Sequence, residues 1–318
     1  MGTEENGQSD RRIDLAARAG FLYYVAGYRQ DDIAMHLGVS RQTAQRLVAL
    51  AVDRKLVSVR LEHPIGRCME LAEALRQRYG LRGCEIVPRD PHDPSAAAGL
   101  AGAGANAMER ELRAEDGRII TVGTGRALRA SVAELTSMNC PQHRIVALLS
   151  QVAADGSASR YNIVERMAER VNAAHYPASL PVYARSAEDR AMLHGLDFVK
   201  SNFRLAGQSD ATFVGIGSIG PEAAMLADGF LSAGEVRAIE AAGGVGEITG
   251  WVYGEAGAVI SCEANDRVTS VPLWPARKTP VYGIAAGPSK VAAIRGALRG
   301  RLINVLVTDE ATAEALLR

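Results

Sequence analysis

The stretch "DDIAMHLGVSRQTAQRLVALAVDRKLV" at residues 31–57 predicts two short helices joined by a tight turn. Two aspartates open the first helix, where acidic side chains interact favourably with the helix dipole. Gly38 ends that helix, because glycine tolerates the positive φ that such a turn requires. Ser40 is a favourable N-cap for a second helix over residues 41–54. This spacing is typical of a helix-turn-helix motif.

The second helix carries an outward row of polar side chains. In a helix-turn-helix protein this helix enters the major groove of DNA with its N-terminus first. Arginine binds guanine with two hydrogen bonds, glutamine binds adenine in the same way, and threonine can contact the methyl group of thymine. The candidate DNA-binding residues are Ser40, Arg41, Gln42, Thr43, Gln45 and Arg46. The alternative is the solvated polar face of an ordinary helix pair.

The charges around this helix favour DNA binding. Residues 38–60 contain five basic side chains and one acidic side chain, which suits contact with phosphates. The segment "LVSVRLEH" at residues 56–63 alternates like the wing strand of a winged helix-turn-helix. The whole chain has 36 basic and 36 acidic residues, so any attraction to nucleic acid depends on this local patch.

Composition places the chain among ordinary globular proteins, with 318 residues, 47% hydrophobic and 23% charged. No apolar run reaches the ~20 residues of a membrane helix, and "MGTEENGQSDRR" has no apolar signal region. We therefore expect a cytoplasmic protein that does not contact a membrane. The four cysteines form no C-x-x-C pair and the six histidines show no H-x-x-x-H spacing, so neither a metal site nor a cofactor is expected.

After residue 83, short apolar runs alternate with helical segments, which predicts an α/β domain with a buried, mostly parallel sheet. A charged helix over residues 66–81 precedes it. The sequence therefore divides into a DNA-binding domain over 1–62, a connector helix over 63–82 and an effector-binding domain over 83–318. The predicted strands are "CEIVP", "RIITVG", "RIVALL", "SLPVYA", "ATFVGIG", "PVYGIAAG" and "LINVLVTD", and the predicted helices include one over residues 186–206. The stretch "ITGWVYGEAGAVISC" predicts a hairpin.

Glycines follow several of these strands, in "TVGTGRAL", "VGIGSIG" and "IAAGPSK". Ligands of open parallel sheets bind beyond the carboxyl ends of the strands, where backbone N–H groups at helix starts attract polar oxygens. Steric requirements of strand–helix turns are the alternative explanation for each glycine. "GTGRAL" matches neither the Walker loop nor G-x-G-x-x-G, so a nucleotide is not indicated. The candidate effector-binding residues are Gly123, Thr124, Gly125, Arg126, Lys290 and Glu247. The Glu247 carboxylate can accept hydrogen bonds from a polyol, and the alternative is an ordinary surface carboxylate.

These motifs together resemble the SorC family of sugar-binding transcriptional regulators, near the DeoR-type regulators. The resemblance spans residues ~20–318 and is most specific from Phe213 onward. Its motifs are "DDIAMHLGVSRQTAQRLV", "GTGRAL", "AEDRAMLHG", "FVGIGSIG", "LSAGEVRAIEAAGGVGEITGWVYGEAG", "GIAAGPSKVAAIRGAL" and "LINVLVTDEATAEALL". The family implies a winged helix-turn-helix, a Rossmann-like effector domain related to sugar-phosphate isomerases, and homotetramers or dimers on operator DNA. Its effectors are usually phosphorylated sugars or sugar alcohols.

Carried over by motif, the family's effector turn falls on Gly123 to Arg126, its acidic position on Glu247 and its helix-start lysine on Lys290. The chain departs from the family pattern at several of these places. The family often has Trp or Gly at Thr124, commonly Asp at Glu247, and often Gly-Gly where this chain has Ser150 and Gln151. Gln151 can bind a hydroxyl group, so the resemblance leaves both a phosphorylated effector and an unphosphorylated polyol open.

Two other functions remain compatible with the sequence. The first is a sugar-phosphate isomerase- or deaminase-like enzyme with an accessory helical domain. Such chemistry needs a positioned acid/base pair, and Glu247 with Lys290 is the only candidate pair, so we predict no catalytic residues. The second is a DNA-binding protein whose large domain only assembles the oligomer. The preferred prediction is a regulator whose operator binding depends on a carbohydrate or polyol.

Overall fold

A computed structural model of the chain describes residues 2–57, 66–88, 99–149, 152 and 162–318, with residues 2–10 described only as helical backbone. The chain separates into two compact units, residues 1–63 and 64–318. In the described ranges, no helix is both long and apolar enough to cross a bilayer.

All the regular secondary structure described in the first unit is helical. It contains α1 (Gly2–Gly20), a π-helical turn (Phe21–Val25), α2 (Gln30–Leu37) and α3 (Arg41–Asp53). Gly38 ends α2 with φ 63°, the left-handed conformation that a residue with a Cβ adopts at a cost. The Ser40 hydroxyl accepts a hydrogen bond from the Thr43 N–H at 3.1 Å and caps α3. The two helices and the turn between them thus follow the predicted spacing.

One apolar cluster holds these three helices together. Its buried members are Ala16, Ala19, Ile33, Ala34, Ala44, Leu47, Val48 and Ala51. The small side chains permit close approach: a Cβ at Gly20 would lie 2.6 Å from a Val57 methyl group. Most of the predicted wing lies outside the described residues, because residues 58–65 are not described.

The second unit alternates strands and helices. Its strands are β1 (Gly83–Val87), β2 (Ile119–Val122), β3 (Arg144–Ala147), β4 (Ala174–Tyr176), β5 (Ala211–Gly215), β6 (Gly217–Ser218), β7 (Gly246–Ile248), β8 (Trp251–Tyr253), β9 (Val281–Ile284) and β10 (Val305–Asp309). Its helices are α4 (Gly66–Tyr79), α5 (Leu100–Leu112), α6 (Arg126–Glu134), α7 (Ile163–Val171), α8 (Ala187–His194), α9 (Asp197–Gly207), α10 (Ala224–Ala227), α11 (Ala233–Ala241), α12 (Glu263–Arg267), α13 (Val291–Arg299) and α14 (Glu310–Leu317).

Seven strands form one sheet in the order β1-β10-β9-β5-β2-β3-β4, and every pairing in it is parallel. Successive residues of a strand belong to two different apolar clusters, as for Phe213 and Val214 in β5. Helices therefore cover both faces, which is the predicted α/β architecture. β6, β7 and β8 form a separate antiparallel sheet.

The sheet order has one consequence for function. β9, β5 and β2 are neighbours, so the three glycine-rich turns that follow them meet at the same edge of the sheet.

Helix α4, which the sequence suggests as a connector, packs within the second unit. Cys68, Leu71 and Leu75 are buried in the same cluster as the apolar side chains of α13 and α14. The Tyr79 hydroxyl donates a hydrogen bond to the Leu316 carbonyl at 3.0 Å. These contacts tie α4 to the last helix of the chain.

Two predicted elements differ from the structure. The helix predicted over residues 186–206 is two helices, α8 and α9, because the chain leaves the helical conformation around Gly195 and Leu196. "SLPVYA" is not a regular strand and makes only isolated bridges at Pro181 and Tyr183. The strand beside β3 is the exposed segment β4 instead.

Candidate functional site

All six candidate DNA-binding residues lie on the exposed surface of the first unit. Ser40, Arg41, Gln42, Thr43, Gln45 and Arg46 are exposed, while Ala44 and Leu47 of the same helix are buried. The Thr43 hydroxyl lies 2.8 Å from the Ser40 hydroxyl, so the helix cap orients both groups at the start of α3. The amphipathic pattern therefore directs the polar row to solvent, where a groove of DNA can reach it.

Arg41 already has an acidic neighbour. Its Nε lies 3.3 Å from the Asp31 carboxylate, and the side chains are 69% and 63% exposed. An ion pair this exposed contributes roughly 0–1 kcal/mol, so a phosphate or a guanine can displace the aspartate at small cost. This exposed ion pair therefore leaves Arg41 accessible to an external anion.

The effector candidates of the second unit meet where β2, β5 and β9 end. A Cβ at Gly215 would lie 2.9 Å from the Thr124 carbonyl oxygen, so the turn after β2 packs directly against the end of β5. A Cβ at Gly123 would lie 3.0 Å from the Thr249 Cγ2 at the tip of the β7–β8 hairpin. Glycine at these positions lets three backbone segments approach closely.

Glu247 extends this cluster. It pairs with Gly217 across β6 and β7, and a Cβ at Gly217 would overlap its carboxylate. Glu247 Oε2 accepts a hydrogen bond from the Gly250 N–H at 2.9 Å. The carboxylate is thus held over a glycine strand rather than projecting into solvent.

Three charged groups interact in this region. Desolvation raises the pKa of Glu247, although the Gly250 N–H and the Lys290 ammonium group oppose the shift. Desolvation also lowers the pKa of Lys290, with Glu247 opposing the shift and Arg126 adding to it. Arg126 is exposed at the start of α6. The structure therefore brings Arg126, Glu247 and Lys290 into one electrostatic cluster with one more positive than negative charge.

This arrangement can hold a small polar molecule that carries an anionic group. Arg126 and Lys290 supply donors for an anion, and Glu247 can accept hydrogen bonds from hydroxyl groups. The backbone N–H of Gly287 is not available, because it donates to the Thr312 hydroxyl at 2.8 Å. We name this set of residues, Gly123 to Arg126 with Glu247 and Lys290, the strand-end cleft.

Several features of the strand-end cleft were not expected from the sequence. Thr249 lies against Gly123, and the Tyr183 hydroxyl donates to the Gly250 carbonyl at 3.1 Å. The sequence predicted a hairpin in "ITGWVYGEAGAVISC" but gave no sign of these contacts. The remaining candidate, Gln151, lies outside the described residues.

A concavity lies between α9 and residues 177–180 and 269–271. It encloses about 320 Å³ including its open mouth. None of the candidate effector residues lines it. Across the described part of the chain, no group of three His, Cys, Asp or Glu side chains is placed to hold a metal ion.

The family comparison matches the second unit. The sugar-binding domain family, Sugar-bind, matches residues 63–318. This range contains the whole parallel sheet and every candidate effector residue.

Individual relatives match both units. The erythritol catabolism regulatory protein EryD of Brucella abortus is 33% identical over 97% of this chain and 98% of its own length. The transcriptional regulator LsrR of an Enterobacter species is 31% identical, covering 96% of this chain and 93% of its own. The crystal structure of the full-length sorbitol operon regulator SorC from Klebsiella pneumoniae superposes with a TM-score of 0.70 at 27% identity, covering 96% of this chain and 99% of that one.

Proposed function

We propose, from the premise that this chain belongs to the sugar-binding domain family of transcriptional regulators, that it binds operator DNA through α3 and senses a carbohydrate or polyol in the strand-end cleft. The observation that carries the proposal is the meeting of three strand-end turns with Arg126, Glu247 and Lys290. Effector binding then shifts the population between states of different operator affinity.

The proposed DNA-binding element is a winged helix-turn-helix in which α3 is the recognition helix. The exposed polar row on α3 and the left-handed turn at Gly38 support it. Helix-turn-helix proteins bind two half-sites as dimers, so we propose a homodimer or homotetramer. The functional division is then a DNA-binding domain over 1–62, a connecting segment over 63–82 and an effector domain over 83–318. In this proposal α4, which packs into the core of the effector domain, transmits conformational changes of that core to the DNA-binding domain.

The charge of the strand-end cleft favours a phosphorylated effector. Arg126 and Lys290 carry two positive charges against the single carboxylate of Glu247, and burial disfavours the charged form of Lys290 even with Glu247 nearby. A phosphate between Arg126 and Lys290 would add a second anionic neighbour, while Glu247 accepts the hydroxyl groups of the carbon chain. The names of relatives mention erythritol and sorbitol, which makes short polyols and their monophosphates suitable probes.

The DNA-binding part is tested with the full-length protein. Operator sequences are selected from random duplex DNA, and affinities of wild type and Arg46→Ala are then measured by fluorescence anisotropy at several salt concentrations. We expect the variant to lose ~1–3 kcal/mol of specific binding. Exposed Arg237→Ala in α11 is the matched control and should bind as wild type does. Failure of wild type to select any sequence would overturn the assignment.

The effector part is tested by thermal unfolding with erythritol, sorbitol, deoxyribose, their monophosphates and inorganic phosphate. A ligand at 100 times its Kd stabilises the native state by about 2.7 kcal/mol. Lys290→Met should abolish the shift from a phosphorylated hit, and the hit should change operator affinity. No shift from any compound would refute effector binding, whereas conversion of a sugar phosphate would support the enzymatic alternative.

A further inference from the structure

The β7–β8 hairpin has an unusual residue at its tip. Ile248 pairs with Trp251, which leaves Thr249 and Gly250 as a two-residue loop. Their φ angles are 52° and 87°, so both residues adopt the left-handed conformation of a type I′ turn. Asn-Gly is the favoured sequence for this turn, while a β-branched residue at positive φ is a genuine outlier. Thr249 is therefore held in a conformation that it disfavours.

Contacts on three sides hold this tip in place. The Thr249 side chain is buried, and its Cγ2 lies against the backbone of Gly123. The Gly250 N–H donates to Glu247, and the Gly250 carbonyl accepts from the Tyr183 hydroxyl at 3.1 Å. The two loop residues thus contact both the turn after β2 and the carboxylate of the strand-end cleft.

We infer that Thr249 is a positioning residue for the strand-end cleft. Its methyl group fixes how closely the turn at Gly123 approaches the hairpin that carries Glu247. The inference rests on the proposed function, because it assigns Thr249 to the effector site. Asparagine would fit the backbone better but lacks the methyl group, so it would gain stability and lose the contact with Gly123.

Two substitutions separate the effect of backbone strain at Thr249 from the effect of its methyl contact with Gly123. Thr249→Asn relieves the left-handed strain and removes the methyl group, whereas Thr249→Val keeps both branches of the side chain and loses only the hydroxyl. The hydroxyl donates to the adjacent Ile248 carbonyl at 2.8 Å and to no group of the strand-end cleft among the described residues. If Thr249 had only a structural role, ligand affinity would follow stability in both variants.

The matched control lies away from the strand-end cleft. Ala276 also has a positive φ, 56°, and its side chain is exposed. Ala276→Asn should therefore raise the melting temperature by relieving the same backbone strain, without any effect on ligand affinity.

The experiment uses full-length protein carrying Trp274→Phe, which leaves Trp251 next to the hairpin tip as the only tryptophan. Melting temperature, Trp251 emission and the Kd for the best probe of the polyol and sugar-phosphate panel are measured in each variant. We expect Thr249→Asn to melt about 2–4 °C higher, to change the ligand-free emission, and to bind the probe about fivefold to tenfold more weakly. Thr249→Val should keep the wild-type Kd and emission.

Unchanged probe affinity in Thr249→Asn, or an equal loss in both variants, would overturn the inference. So would unchanged emission and melting temperature in Thr249→Asn. If wild type binds no probe, effector sensing itself fails, and ligand-free emission then decides separately whether Thr249 holds the hairpin.

Discussion

Arg46 on α3 projects into solvent, whereas Glu247 in the strand-end cleft accepts the Gly250 N–H and interacts with Lys290. The first surface consists of side chains on a helix whose opposite side holds the core together. The second consists of closely packed backbone turns and glycines, with partly desolvated charges that shift one another's pKa. We therefore expect the exposed side chains of α3 to be exchangeable with little effect on folding. Most substitutions in the strand-end cleft should instead alter structure and binding together.

This difference has a functional consequence. A surface that recognises different operators can vary one side chain at a time, as the exposed row on α3 allows. A site that changes its geometry when a ligand binds needs groups that are coupled. In the proposed effector site, the contacts among Gly123, Thr249, Gly250 and Glu247 would supply that coupling.

The largest effect is expected from a side chain at Gly217. Gly217→Ala places a Cβ against the Glu247 carboxylate, so we expect a loss of ~1–3 kcal/mol of stability and loss of the effector-induced thermal shift. Gly102→Ala in α5 is the control, because its added Cβ would meet no described atom within 4 Å apart from its neighbours in the same helix. Adding Glu247→Ala to Gly217→Ala should recover the stability but not the shift. Additive losses in the double variant would contradict the proposed clash.

The next effect concerns α3 alone. Arg46→Ala should leave the unfolding free energy within about 0.5 kcal/mol of wild type, because an exposed side chain without core contacts is removed. The same variant should lose operator affinity as described above. Urea unfolding measures the stability of the variant, and the DNA titration measures its operator affinity. A large loss of stability would show that α3, like the strand-end cleft, couples binding residues to folding.

Glu247→Gln provides a test by pH. The pKa of Glu247 is raised above 4.5, so the native state binds its proton more tightly than the unfolded chain. This contribution to stability is complete below about pH 4.5 and is lost as pH rises through the folded pKa. The stability of wild type relative to Glu247→Gln should therefore fall as pH rises from 4.5, and fall more when Lys290→Met is also present. A difference that is constant with pH would argue against desolvation of this carboxylate.

The smallest effect is expected from Asp31→Asn. The substitution removes the ion pair with Arg41, so stability should change by less than about 1 kcal/mol. Operator affinity should increase, because Arg41 is released and one negative charge near the phosphates is lost. The salt dependence of binding checks the second point, and unchanged affinity would mean that Asp31 does not compete with DNA.

The sequence predicted the elements with local signals. Ser40 as a helix cap, Gly38 as a turn and the parallel strands that end in glycine turns all follow from rules for neighbouring residues, and the structure confirms them. Convergence of the three turns followed from the rule that ligands bind at strand ends. The same rule could not supply the strand order that makes β9, β5 and β2 neighbours.

The mistaken strand predictions concern segments in which the apolar pattern of the sequence does not match the secondary structure. Leu180, Val182 and Tyr183 are apolar and buried, but their backbone forms no regular strand. Their apolar pattern therefore indicated burial and not a strand. In contrast, β4 has exposed Ala174 and His175, so it lacks the apolar pattern of a buried strand. The positive φ of Thr249 could not be predicted from the sequence either, because contacts with residues far away in the chain hold threonine in that conformation.

The pairing of β1 with β10 bears on how the protein is made. Gly83 pairs with Val305, which is 222 residues later in the chain. At typical translation rates, β1 therefore waits roughly 10–45 s on the ribosome before its partner is synthesised. The described members of the apolar cluster of the three N-terminal helices all precede residue 58, so this cluster can form during the interval. Until β10 is synthesised, β1 has an unpaired strand edge, which is a potential site of aggregation.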